Sequence, residues 1–172
     1  MFLDGATVEL RTIEEDDIDF LQRTVNDPRV RTTLGSIRPI NRIQERDWVE
    51  SLGDTDEVNL LICVDGAPMG SVTLDPPNQV WGVVEVAVMV APDHWNEGYA
   101  TEAIDLLCEY AFEERRLNKM YARVYATNPA GSRVFEKLGF QEEGVFRKEG
   151  FVDGGYVDVH RYGLLADEWR RD

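Results

Sequence analysis

Lysine is almost missing from this chain of 172 residues: only Lys119, Lys137 and Lys148 occur, so fifteen of the 18 cations are arginines, against 33 acids and a net charge of −15. That balance argues against nucleic acid or an anionic membrane as a partner, since both need clustered cations. Cysteine is scarce too. Cys63 lies in an apolar run and Cys108 on an apolar helical stripe, so both read as small buried hydrophobes in a reducing compartment rather than as a disulfide framework. No apolar run approaches the ~20 residues of a membrane span, and residues 1–10 lack a basic region leading into an apolar stretch, so a cytoplasmic protein is expected. No segment rich in Gly, Pro or Ser divides the chain and no repeat is found, which predicts a single domain over residues 1–172. His94 and His160 have no metal-ligand spacing, so no metal is expected. A G-x-G-x-x-G fingerprint and a P-loop are both absent, which excludes the commonest nucleotide-binding loops.

What is present is an ordinary supply of core residues, 43% hydrophobic and 10% aromatic, enough for a chain of this length to fold. The many acids with few lysines fit either a halophile's solvated surface or a merely acidic enzyme. Alternation predicts a strand over 8–12, and helical spacing predicts helices over 14–25, just after Pro28, and over 44–52. The period then changes. Strands are expected at 58–64 and 69–74 around an Asp65-Gly66 turn, and at 80–90, where an apolar run ends at Pro92. A helix follows over 99–115, then a strand over 120–126. Asn128 can cap a helix that begins at Pro129 and ends at Gly139. Residues 145–151 and 156–162 read as a closing hairpin and 164–169 as a terminal turn. This order predicts a mixed α/β (α+β) sheet flanked by helices rather than a strictly alternating Rossmann sheet.

The segment Trp95-Asn96-Glu97-Gly98-Tyr99-Ala100-Thr101 joins the apolar strand to the long helix. One Gly and small residues there leave backbone amides free at a helix N-terminus, which suits an anion such as phosphate, although a plain tight turn has the same look. Together with Glu85-Val86-Ala87, Thr127-Asn128-Pro129-Ala130, the EKLGF at 136–140 and the LLADEW at 164–169, the segment WNEGYATEA at 95–103 resembles the GNAT superfamily of acetyl-CoA-dependent N-acetyltransferases. Within it the chain is most similar to the Rim-type ribosomal-protein N-terminal acetyltransferases.

The resemblance implies a splayed central sheet and a binding site for acetyl-CoA as acetyl donor. In the superfamily's pyrophosphate loop, [Q/R]-x-x-G-x-[G/A], Gly98 and Ala100 match, and Trp95 replaces the usual Gln or Arg. The amides of Glu97, Gly98, Tyr99, Ala100 and Thr101 would hold the pyrophosphate, and Asn128 would cap its helix either alone or while also meeting the pantetheine arm. The pantetheine amides would pair with backbone near Met89 and Val90. Arg133 and Lys137 are candidates for the 3′-phosphate or plain surface cations.

Acetyl transfer to an amine needs a deprotonated amine, a stabilised oxyanion and, usefully, a proton for the thiolate, a tolerable leaving group because thiols titrate near ~8.5. The family's mechanism implies direct attack in a ternary complex. Glu85 matches the Rim-type acid on this strand and is either a base at a wet cleft or a salt-bridged structural residue. The superfamily's Tyr falls at Phe135 and the Rim-type Ser at Gly131, so neither usual acid is present; Ser132 is the remaining candidate, as acid, as cap or as bystander. Glu97 departs from relatives by placing a negative charge in the pyrophosphate loop, which ~1 M salt with a Debye length of about 3 Å would screen. Trp48, Trp81, Phe151 and Tyr156 fit either an acceptor wall or the core.

The reading is therefore an enzyme acetylating a protein N-terminus, with a polyamine or other small amine as the alternative acceptor and a non-catalytic CoA-binding module as a second alternative. It is expected to be a monomer or homodimer.

Overall fold

The computed structural model describes residues 1–169. Eight strands form one twisted sheet in the order β1-β2-β3-β4-β5-β6-β8-β7, where β1 is Leu3–Asp4, β2 Glu9–Thr12, β3 Val58–Val64, β4 Ala67–Leu74, β5 Val83–Val90, β6 Lys119–Tyr125, β7 Gln141–Val152 and β8 Gly155–Leu165. All neighbours are antiparallel except β5 and β6, which run parallel. Three helices, α1 (Ile18–Asn26), α2 (Pro28–Leu34) and α3 (Arg42–Glu50), lie between β2 and β3 in sequence. Helix α4 (Tyr99–Glu109) crosses from β5 to β6, and α5 (Pro129–Lys137) follows β6.

Alternation along β5 divides the protein into two sides. Val84 and Val86 are buried in the main core with Leu10, Leu60, Ile62 and Val72, under Ala103, Ile104, Leu107 and Cys108 of α4 and Phe135 of α5. Residues one step out of phase, Glu85, Ala87 and Met89, face the other side of the sheet. There a smaller cluster of Ile13, Leu21, Leu61 and Cys63 packs with Trp48, Val49 and Met89 beneath α1 and α3.

Several boundaries differ from the sequence expectation. The strand expected from residue 80 begins at Val83, because the Asn78 side chain accepts from the Val80 and Trp81 amides and closes a turn at Gly82 (φ 64°). Short local bonds to an Asn thus outcompete the ladder. The helix expected to reach residue 115 is α-helical only to Glu109. It widens into a π turn over Tyr110–Glu114, closed by Arg115 N to Tyr110 O at 3.0 Å. Pairing along the sheet edge lengthens the last hairpin to 141–152 and 155–165, absorbing Leu164 and Leu165 from the expected terminal turn. Strand β1 has only two residues and carries no alternation to read. No helix among the described residues is long and apolar enough to cross a membrane.

Candidate active site

Strands β5 and β6 pair only at Val83, Val84 and Glu85, opposite Lys119, Met120 and Tyr121. Beyond that point each keeps its other partner: β5 stays on β4 as far as Val90, and β6 stays on β8 as far as Tyr125. The two strands therefore splay, leaving one edge of β5 open. Bonds from Asp75 N to Glu85 O (3.0 Å) and from Ala91 N to Met69 O (2.8 Å) fix which residues face which way. Glu85, Ala87 and Met89 turn their backbone groups to β4, whereas Val88 and Val90 turn theirs to the opening. This corrects one expectation by a single residue. Met89 has no backbone to offer there, and Val88 joins Val90 at the open edge, while the Met89 side chain lines the cleft under α1 and α3.

The Trp95 indole Nε1 donates to the Val90 carbonyl at 2.8 Å, folding the loop back onto the end of β5. After it, Asn96 (φ 66°) and Gly98 (φ 86°) take left-handed backbone conformations that let the chain enter α4. A Cβ at Gly98 would meet nothing within 4 Å, so the glycine answers to backbone conformation on this open face. The first intrahelical bond is Glu102 N to Gly98 O at 3.1 Å, which leaves the amides of Tyr99, Ala100 and Thr101 without helical partners. No side chain among the described residues caps them. Glu102 stands in the first turn, yet its Oε1 accepts from the Thr7 and Val8 amides instead, at 2.7 and 3.3 Å. The result is an uncapped helix N-terminus with the polarity that binds an anionic group. Glu97 is exposed beside it.

On the opposite arm of the splay Asn128 Oδ1 accepts from Gly131 N at 3.0 Å, capping α5. A Cβ on residue 131 would sit 2.6 Å from Asn128 Nδ2, so a larger residue there would push the capping side chain aside. Ser132 is a half-buried residue of α5; its amide donates to the Asn128 carbonyl at 3.3 Å, and because Asn128 fills the cap its hydroxyl has no capping role. Phe135 is buried between Phe140 and Tyr162.

Glu85 sits where the strands part, 17% exposed, and its carboxylate accepts from Arg123 Nε of β6 at 2.7 Å. It is thus ion-paired, the structural alternative weighed for it. Burial, and then the Glu85 charge, push the neighbouring Tyr121 phenol above its usual range, and the guanidinium of Arg161 stacks 3.7 Å over its ring. Asp75, beside Glu85 in the β4–β5 register, has its carboxyl pushed up by burial and by the Glu85 and Glu57 charges. Arg123, Asp75 and Tyr121 escape a linear reading because only strand register brings them to Glu85.

From this point a cleft of about 370 Å³ extends under the helices, floored by Ser71, Thr73, Ala87 and Met89 and walled by Leu21, Gln44, Glu45 and Trp48. Its lining is apolar apart from a few hydroxyls and amides and the Glu45 carboxylate. Of the four aromatics proposed for an acceptor wall only Trp48 is here; Trp81, Phe151 and Tyr156 are exposed elsewhere, the last two stacked edge to face on the β7–β8 turn. Both cysteines are buried, and burial raises their thiols, so neither is poised as a nucleophile. No cluster of three or more His, Cys, Asp or Glu among the described residues could hold a metal ion.

Residues 7–141 match the acetyltransferase (GNAT) domain family. Spermidine N(1)-acetyltransferase of Vibrio cholerae is 27% identical, with 96% of each chain covered. The putative ribosomal N-acetyltransferase YdaF of Bacillus subtilis is 32% identical over 123 residues, 72% of this chain and 67% of that one. Among solved structures, the V. cholerae spermidine N-acetyltransferase in complex with CoA and spermine superposes with a TM-score of 0.88 at 25% identity, covering 95% of this chain and 98% of that one.

Proposed function

Because the chain belongs to the GNAT acetyltransferase family and so uses acetyl-CoA to acetylate an amine, we propose that its acceptor is a polyamine of the spermidine type. The observation that carries this is the charge of the acceptor side: Glu45 is the sole ionisable side chain among the described residues lining the cleft, and Asp75 and Glu85 lie two residues along the chain from Thr73 and Ala87 of its floor. Such a site attracts a flexible polycation. The named relatives support the polyamine over the protein N-terminus expected from the Rim-type resemblance.

In this reading the amides of Tyr99, Ala100 and Thr101 receive the pyrophosphate, with Gly98 supplying the turn, Trp95 holding the loop and Glu97 at its rim. The open edge at Val88 and Val90, with Asn128 across the splay, receives the pantetheine. The amine nitrogen attacks the thioester carbonyl, the C–N bond forms and the C–S bond breaks. Glu85 takes the amine proton, through water where Arg123 holds its near oxygen, and Ser132 relays a proton from solvent to the thiolate, so that the products are the acetylated amine and the CoA thiol. A reducing cytoplasm and high salt suit the two buried free thiols and the acidic, arginine-rich surface.

The test is incubation with acetyl-CoA in multimolar KCl with spermidine, small monoamines and N-terminal peptides, with mass-spectrometric detection. Acetylspermidine is the expected product; acetylated peptides alone would return the acceptor to a protein N-terminus.

A further inference from the structure

Glu45 is the one ionisable residue among the described residues that line the cleft. It is 7% exposed on α3, and burial alone raises its carboxyl. It has no ion pair or hydrogen bond to its side chain among the described residues, in contrast with buried Asp17, which is held by Arg11. A carboxylate largely removed from water without a cationic partner is costly, and a cationic ligand entering the cleft would supply the missing charge. The lining offers no cation to do so. Trp48 stands three residues on, on the same face of α3, and also lines the cleft. A carboxylate beside an indole is a receptor for an ammonium group, one by charge and hydrogen bond, the other through its ring face.

We propose that Glu45, with Trp48, binds the second, non-reacting ammonium of the acceptor and so makes the enzyme selective for diamines and polyamines over monoamines. This deepens the polyamine reading and rests on it. The hydrocarbon between the two nitrogens lies over Ala87, Met89 and Leu21, which explains why the rest of the lining is apolar. Glu45 touches neither the acetyl group nor the attacking nitrogen, and its effect belongs in acceptor binding rather than in chemistry.

The experiment compares kcat/KM for a linear alkane diamine with that for the alkyl monoamine of equal length, in wild type, Glu45→Gln and Glu45→Asp. Replacing a charge-assisted contact by a neutral one is expected to raise KM for the diamine roughly tenfold in Glu45→Gln and to lower the diamine-to-monoamine ratio of kcat/KM by a similar factor. Glu45→Asp, which keeps the charge, retains most of the preference and guards against a folding artefact. With the buried charge gone, Glu45→Gln should also melt at or above the wild-type temperature. An unchanged diamine-to-monoamine ratio in Glu45→Gln, or a loss in Glu45→Asp as large as in Glu45→Gln, overturns the assignment while leaving the acceptor class intact. A wild-type enzyme that acetylates neither diamines nor spermidine overturns both.

Discussion

Arg123 donates its Nε–H to Glu85 at 2.7 Å across the point where β5 and β6 part, so the two arms of the splay are tied at its vertex by an ion pair between side chains. The pair gives Glu85 two separable roles. If it serves as proton acceptor, Glu85→Gln, which keeps shape and hydrogen bonding, lowers kcat by about 10² or more. Arg123→Met, which removes only the half-exposed partner, lowers it by less than about tenfold. Steady-state kinetics of both variants decides this; a Glu85→Gln enzyme with near wild-type kcat would leave Glu85 as a clasp only.

Gly98 has φ 86° and open space where a side chain would be. Gly98→Ala therefore pays backbone strain of about 1–2 kcal/mol without a clash in the free protein. We expect a folded variant with a lower urea midpoint and acetyl-CoA affinity reduced at least tenfold by calorimetry, as its new methyl faces the anion site. Wild-type affinity would show that the pyrophosphate does not approach this turn.

Glu97 is exposed beside the uncapped amides of α4. At ~0.1 M salt, with a Debye length of about 10 Å, its charge would oppose a pyrophosphate bound at those amides; at ~1 M the repulsion would be screened within about 3 Å. Glu97→Gln should therefore bind acetyl-CoA several-fold more tightly than wild type in dilute buffer and no more tightly in ~2 M KCl. An equal gain at both ionic strengths would mean that the effect is not electrostatic.

Asp17, 6% exposed, is joined to Arg11 through both carboxylate oxygens at 2.8 Å, anchoring the start of α1 to β2. Burial pushes its carboxyl up, but the Arg11 hydrogen bond and the Glu14 amide outweigh this and hold it below the ordinary 3.8. A lowered carboxyl binds protons less well folded than unfolded, so the contribution is complete above about pH 4–5 and fades as pH falls through the folded value. Arg11→Met leaves the buried charge unpaired and should cost about 3 kcal/mol at pH 7. Urea unfolding should find the gap between wild type and variant narrowing below pH 4; a constant gap would place the cost in packing.

Much of this protein was legible from local chemistry. The loop from Trp95 to Thr101, the Asn128 cap, the helix after Pro129 and the apolar strand carrying Glu85 each depend on neighbours within a few residues, where hydrogen-bond geometry and period leave few choices. Arg123 beside Glu85, Val88 rather than Met89 at the open edge, and Glu102 drawn off to Thr7 and Val8 are different in kind. They follow from register and from contacts between residues 38 and 95 positions apart, and a one-residue change of register reverses which backbone groups and side chains face a cleft. Glu45 shows the same division most sharply: on a polar helix it reads as one more solvated acid, and only the tertiary fold, which sets α3 beside α1 and across a cleft from β4 and β5, turns it into a largely buried charge lining that cleft.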